Sequence, residues 1–321
     1  MSISRIICSS LIFFLTAHFT EAASTSGADF LKVDTGAFAA AAGGAFTAVT
    51  EGVNSLRYNP AGLSYLENKE LFLSVKPWIG DTLFMSVSYI ESISRRRGFS
   101  IGLDLTVFSS MPVEQVGPGG EPLDSAALTD LALSFFVSHR LPIKGLSVGG
   151  GARFIFRDVL DYYVYGLAFD LSVLYRTSFL SFSSPGHNNL SLAFTIQNLG
   201  PNLDYSDSTV EGWTSHLPTS LNYGLQYEFF SIRDMRLWLA ADLSTYLFEK
   251  KTRFRVGIVY QPFRFISLRC GYQSDMELQA FSFGTGILVP FSRGGIRVDY
   301  AFLPLKNGMD PVHSMGITFI F

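Results

Sequence analysis

From residue 70 to its last residue the chain is a succession of fourteen strand-length segments in which side-chain character alternates. They run 70–77, 81–91, 98–109, 128–140, 145–156, 163–176, 189–198, 218–230, 235–246, 252–261, 263–273, 279–290, 293–302 and 312–321. Successive side chains of a strand point to opposite faces, so each segment carries one apolar and one mixed face. In RLWLAADLS, Leu237, Leu239, Ala241 and Leu243 fall on one face and Arg236, Trp238, Ala240 and Asp242 on the other. RFRVGIVY separates Phe254, Val256, Ile258 and Tyr260 from Arg253, Arg255, Gly257 and Val259 in the same way. The closing HSMGITFIF puts Met315, Ile317, Phe319 and Phe321 opposite Ser314, Gly316 and Thr318. An even number of tilted strands of about ten residues is what a bacterial transmembrane barrel requires.

Composition decides between a soluble sheet and a membrane one. Charged residues make up 16% of the chain, against about 25% in soluble domains. Aromatics reach 15% and mean hydropathy is +0.26. Beyond residue 23 no run of about 18 apolar residues is available for a membrane helix. In hydrocarbon only helices and closed barrels satisfy every backbone polar group. The expected fold is therefore all-β, a transmembrane antiparallel β-barrel of about 14 strands. Residues 1–23, with Arg5, an apolar run from Ile6 to Phe19 and then Thr20, Glu21, Ala22 and Ala23, read as a cleaved secretory signal peptide. Cys8 has no lipobox around it, and Cys270 is the single cysteine left after cleavage, so no disulfide framework is expected. A net charge of -3 gives no basic footprint for nucleic acid.

The inner faces collect ionisable residues: Asp104, Asp130, Asp170, Asp242 and Asp299 are matched by Arg153, Arg236, Arg255, Arg269 and Arg297. The first role expected of them is a set of lumenal ion pairs and hydrogen bonds holding strands in register. The second is substrate capture, because a planar guanidinium suits a carboxylate, and the five arginines are the candidate carboxylate-binding residues. Fourteen strands leave an interior wide enough for a plug or a ligand. Trp78, Tyr89, Tyr162, Tyr163, Tyr165, Trp213, Tyr246 and Tyr260 are expected in interfacial girdles. Turns such as RLPIKG, SIRD and QPFR are short, whereas loops 110–127 and 199–217 are long and polar. With the amino terminus in the periplasm the long loops fall outside, except 177–188.

Enzyme and metal motifs are missing or misplaced. GLSVG at 145–149 matches G-x-S-x-G around Ser147 but lies inside an alternating strand rather than at a strand-turn-helix elbow. His139, His187, His216 and His313 are scattered over strand ends and loops, so no metal site is expected. No cofactor is expected either.

Residues 27–63, GADFLKVDTGAFAAAAGGAFTAVTEGVNSLRYNPAGL, differ from everything downstream. They are dense in Ala and Gly, with almost no strand alternation, which suits a plug packed closely against surrounding walls. Asn59 can cap a short helix that begins at Pro60, where the missing N–H costs nothing. The expected division is 1–23 signal peptide, 24–68 hatch and 69–321 barrel.

At Gly36 to Phe46 and Asn59 to Gly62 the sequence resembles the FadL and PorV group of outer-membrane barrels, nearest the short uncharacterised FadL-like proteins of spirochaetes. The resemblance implies an outer-membrane barrel with a hatch, whose gating residues are Gly36, Gly43, Gly44, Phe46, Asn59, Pro60 and Gly62. It also implies uptake of hydrophobic small molecules, such as long-chain fatty acids, with a possible lateral exit into membrane lipid. A monomer is expected. PorV-type members imply a secretion shuttle instead, and a surface antigen or adhesin using the long loops is the third alternative. The terminal strand looks like the assembly signal read by the outer-membrane assembly machinery, with Phe319 and Phe321 as its aromatic residues.

Overall fold

Every one of the fourteen alternating segments forms a strand, with ends within three residues of those read from the sequence. The computed structural model describes residues 26–111, 113–116, 122–159, 162–180, 188–205, 214–274 and 279–321. The signal-peptide reading of 1–23 and the girdle reading of Trp213 therefore lie outside the described residues. The barrel strands are β1 (Glu70–Trp78), β2 (Thr82–Ser94), β3 (Phe99–Ser110), β4 (Leu128–Arg140), β5 (Leu146–Val159), β6 (Tyr162–Thr177) and β7 (Leu190–Leu199). They continue as β8 (Ser220–Ile232), β9 (Met235–Tyr246), β10 (Lys251–Phe263), β11 (Ile266–Gln273), β12 (Phe281–Phe291), β13 (Gly294–Leu303) and β14 (Val312–Ile320). Each pairs antiparallel with its neighbours in sequence, and β1 pairs with β14 to close the barrel. Two short ribbons stand in the long loops, Val113–Val116 against Pro122–Ala126 and Leu203–Asp204 against Thr214–Ser215.

Alternation becomes inside and outside. Asp104, Asp170, Asp242 and Asp299 are each at most 2% exposed, while Leu171 and Val289 are 56% and 58% exposed on the outer face. Val87, Leu133, Phe154, Leu167, Ile258 and Phe283 extend that outer apolar surface around the wall. A soluble monomer does not present such a continuous apolar surface, whereas a barrel in lipid requires it. The closed wall is a membrane-spanning one.

Two of the expected girdle aromatics point inward. Trp78 shares the face of Lys76, whose ammonium lies 4.2 Å from its ring, and packs edge-on to Phe84 at 6.2 Å. Tyr246 is buried on the face of Asp242, with Lys32 5.5 Å above its ring. Tyr163, Tyr165 and Tyr260 are exposed on the outer face, as is the parity of Tyr89. An aromatic near a strand end is compatible with either solvent, and only its parity against neighbours of known face decides.

Candidate functional site: a plugged lumen

The segment before β1 fills the barrel. It has little regular structure: one short helix, α1 (Ala37–Ala41), and 3₁₀ turns at Asp29–Lys32, Gly52–Ser55 and Pro60–Tyr65. Buried backbone without a ladder must find partners elsewhere. Here the partners are inward side chains of the wall. Thr47 N donates to Asp242 on β9 at 2.8 Å, Val53 N to Glu70 on β1 at 2.8 Å, and Ala61 N to Ser172 on β6 at 2.9 Å. On β12 the Ser282 hydroxyl accepts from Gly43 N at 3.1 Å and donates to the Ala41 carbonyl at 3.1 Å. Gln197 on β7 donates to the carbonyls of Arg57 and Tyr58 at 2.7 and 3.0 Å, and Lys76 donates to that of Asp34 at 3.0 Å. Ser147, the centre of the G-x-S-x-G match, is fully buried and donates to the Ala61 carbonyl at 3.0 Å. It is a docking group for the plug.

Small residues let the plug backbone touch the wall directly. Ala37, Ala39, Ala41, Ala42 and Ala45 are fully buried. Gly43 and Gly44 have φ of 67° and 69°, the left-handed region that glycine enters without steric cost. A Cβ on Gly43 would lie 2.8 Å from both Tyr272 N and Val256 O. The wall answers with its own glycine, since a Cβ on Gly271 would run into Gly43 N. Gly36 precedes α1, and a Cβ there would lie 3.3 Å from Asn54 Oδ1. Gly62 is less constrained, because an added Cβ would make ordinary contact with Thr50.

The aromatic and cap residues hold the segment together. Phe46 is fully buried between Phe38, Tyr58 and Trp238, with ring centroids at 5.2, 5.4 and 6.3 Å. Asn59 Oδ1 accepts from Ala61 N at 3.0 Å and Asn59 Nδ2 donates to the Thr47 carbonyl at 2.7 Å, with Pro60 at the first position of the turn. Tyr58 donates to Asp34 at 2.6 Å, and burial, reinforced by that carboxylate, pushes its phenol well up.

The inner charges divide between the wall and the plug. Arg153 pairs with Asp170 at 3.0 Å and also reaches Ser134 and Asn198, and Arg157 pairs with Asp130 at 2.7 Å, so these bind strand to strand. Asp242 and Arg255 stand opposite each other in register, yet Asp242 serves Thr47 and Arg255 approaches the Gly44 carbonyl at 3.5 Å. Arg236 splits between Glu228 of the wall at 3.0 Å and Glu51 of the plug at 3.1 Å. The five arginines read as one set lie in two places. Arg153 and Arg255 line a cavity of 60 Å³ with Asp34, Asn54, Arg57 and Phe72, where both amide atoms of Asn54 are buried without a hydrogen-bond partner. Arg236, Arg269 and Arg297 line a second cavity of 160 Å³ beneath Phe38 and Trp238.

Sequence reasoning missed Asp34, Glu51, Asn54 and Arg57 of the plug, and Glu70, Ser172, Gln197 and Ser282 of the wall. Their signal is polarity on an inward or Ala/Gly-rich surface, which marks them as buried without naming a partner. At the chain end, β14 carries Phe319 between Leu71 and Ile296, and exposed Phe321 donates its N–H to the Lys69 carbonyl at 2.9 Å.

Residues 20–303 match an uncharacterised protein family, UPF0164. No curated protein matches the chain. Among solved structures the chain is similar to the toluene transporter TbuX of Ralstonia pickettii, with a TM-score of 0.57 at 12% identity over 89% of this chain and 96% of that one. A deletion mutant of the monoaromatic hydrocarbon channel TodX gives 0.57 at 14% identity, over 89% and 97%. A FadL homologue of Pseudomonas aeruginosa gives 0.53 at 11% identity, over 89% and 97%. At such identities the likeness is one of fold, and the fold is a FadL-type barrel.

Proposed function

We propose that this chain, which belongs to the uncharacterised protein family UPF0164, passes small hydrophobic molecules across the outer membrane through a lumen that its plug must vacate. The observation that carries this reading is the fastening of the plug: a segment inside a FadL-type barrel, held by separate side-chain contacts rather than by strands of the wall. Gly36, Gly43, Gly44, Phe46, Asn59, Pro60 and Gly62 then act as hatch residues, whose close fit shuts the lumen. The cargo class comes from the toluene transporter and the hydrocarbon channel that share the fold; long-chain fatty acids belong to the same class. Phe319 and Phe321 serve assembly into the outer membrane.

A sideways route is supported at the seam that closes the barrel. β1 pairs with β2 along its whole length, but with β14 only from Glu70 to Val75. Lys76, Pro77 and Trp78 run past Val312–Ser314 without ladder partners there, and Pro77 has no N–H to offer. A pocket of 460 Å³ bounded by Trp78, Ile79, Leu305, Met309 and Val312 opens at this place.

Proteoliposome uptake of labelled toluene and of a long-chain fatty acid tests the reading, with cysteines placed at Thr47 and Asp242 in a Cys270→Ser background. Oxidation should abolish uptake and a reductant should restore it. Uptake indifferent to the lock removes the hatch from the mechanism, and failure to take up or bind any apolar compound favours the secretion-partner or surface-antigen alternative.

A further inference from the structure

The two ends of the barrel carry opposite charge. At the end with the short turns, five of the six connections bear exposed basic side chains: Arg95, Arg96 and Arg97 between β2 and β3, Lys144 between β4 and β5, and Arg233 between β8 and β9. Arg264 between β10 and β11 and Arg293 between β12 and β13 complete the set. The sixth connection, 178–189, has no Lys, Arg, Asp or Glu. Among the described residues the exposed acids of this end are Glu67 and Asp234, while Glu91 is taken by Lys69 at 2.5 Å. At the opposite end, the segments 112–127, 160–161, 206–213 and 275–278 hold eight Asp or Glu in sequence and no Lys or Arg. Lys250 and Lys306 are the exposed basic residues described there.

Among the described residues none of these seven basic side chains is held by an acid. Arg140 and Arg176 stand at the same end but are turned onto the ring of Tyr65, at 4.9 and 4.8 Å, and are outside the set. Each basic turn adjoins exposed apolar side chains. Ile93 and Phe99 flank the three arginines, Ile143 precedes Lys144, and Ile232 and Met235 bracket Arg233. Phe263 and Phe265, stacked with ring centroids 5.6 Å apart, bracket Arg264, and exposed Phe291 lies two residues before Arg293. These apolar residues end the outer apolar surface of the wall, so the charges stand where hydrocarbon gives way to headgroups. Long basic side chains suit that boundary, because the stem lies on apolar surface while the charge reaches the polar layer. Strands are about 4.8 Å apart, so turns on every second gap follow one another about 10 Å apart around the rim. The result is a collar and not a patch.

We propose that this collar binds the phosphates of anionic glycerophospholipids in the leaflet on the short-turn side. A guanidinium fork fits a phosphate, and basic side chains beside a bilayer draw anionic lipid toward them. A zwitterionic headgroup brings its own cation, which the collar repels, so the preference is for net negative charge and not for phosphate alone. The ring form selects lipid over a soluble acidic partner: a shell of lipid surrounds a barrel on all sides, whereas a protein meets one side of it. The acidic segments of the opposite end offer anionic lipid no such attraction, so the preference belongs to one leaflet. The collar lies outside the lumen and is independent of the proposed transport function.

Electron paramagnetic resonance of the full-length protein in phosphatidylcholine vesicles, with a trace of spin-labelled phosphatidylglycerol or spin-labelled phosphatidylcholine, tests it by the fraction of label immobilised on the wall. Phosphatidylglycerol should associate about threefold more strongly or better at low salt. The preference should vanish at about 1 M salt, where the screening length is about 3 Å. A combined variant, Arg95→Gln, Arg96→Gln, Arg97→Gln, Lys144→Gln, Arg233→Gln and Arg293→Gln, should lose at least half of the preference. Lys250→Gln with Lys306→Gln, at the opposite end, should keep all of it. Equal association of the two lipids by the parent overturns the collar, as does a preference indifferent to salt or one that survives in the combined variant. Should that variant fail to assemble, the triple change at Arg95, Arg96 and Arg97 takes its place, with a smaller loss expected and no loss counting against the collar. Polyglutamate held by the detergent-solubilised parent and released by the same substitutions, without any preference for phosphatidylglycerol, replaces lipid by a soluble acidic partner.

Discussion

Wall and plug are both buried on one side or all round, and they satisfy their backbones differently. In the wall every strand draws on the strands beside it, and β5 and β6 alone share fourteen paired residues from Leu146↔Tyr175 to Val159↔Tyr162. In the plug, α1 covers only Ala37–Ala41; the Thr47 and Val53 amides each depend on one side chain reaching in, Asp242 and Glu70, and Ala61 N on Ser172 of the wall and Asn59 of the plug. A ladder is cooperative and fails only as a unit. Separate contacts, each of net worth about 0.5–1.5 kcal/mol, can be lost one at a time. The plug is therefore fastened contact by contact, and the wall by continuous ladders.

The largest test of that difference is to take the plug away. Without residues 27–63 the wall should still form a heat-modifiable, almost wholly β barrel, because none of its ladders includes a plug residue. Conductance in planar bilayers should rise by about tenfold or more, since fourteen strands enclose more space than their side chains fill. An intact protein that already conducts as a wide, steady pore, with deletion changing nothing, breaks the comparison.

A smaller effect is expected from a change confined to the contact surface. Gly271→Val directs a side chain into Gly43 N, where the two backbones touch. Overpacking of this kind costs about 1–3 kcal/mol, and here the plug should yield rather than the ladder of β10, β11 and β12. The expected outcome is unchanged circular dichroism and heat-modifiability, with new protease cleavage between residues 37 and 48. Loss of the barrel itself would mean that wall and plug fold as one unit.

How far each region was legible follows from the same physics. A period of two fixes inside against outside, so the wall could be read from Leu239, Asp242 and Arg255 onward, strand by strand. Parity gives neither height along the barrel nor position around it. Arg153 and Arg255 therefore looked equivalent to Arg236, Arg269 and Arg297, although the two groups line different cavities. Asp242 could be read only as one of five lumenal acids set against five arginines, because the amide that claims it belongs to a segment of no regular period. The plug showed itself through composition, Ala and Gly where strands were due, and through the Asn59-Pro60 cap. Its path across the lumen is set by contacts distant in sequence, such as Ser282 on Gly43, and these leave no local pattern.

The smallest effect, and the finest probe, is the cap. Asn59 is fully buried and joins two parts of the plug, through Ala61 N at 3.0 Å and the Thr47 carbonyl at 2.7 Å. Asn59→Ala removes both. Ala61 N keeps Ser172 at 2.9 Å, so that donor is not left bare, whereas the Thr47 carbonyl loses its Asn59 donor. Loss of an N-cap of this kind costs about 0.5–2 kcal/mol. A penalty of about 1–2 kcal/mol is a factor of roughly 5–30 in a local equilibrium. Hydrogen exchange should therefore quicken by that factor at plug amides such as Thr47 and Tyr58. It should stay as slow as before across β5 and β6, whose bonds Asn59 does not touch. Conductance should scarcely change, because a plug opened that rarely is still shut nearly all the time. If the strand amides quicken in step with the plug, the two regions share one unfolding event. If neither moves, the wall contacts alone hold the plug and the Asn59-Pro60 turn is not its pin.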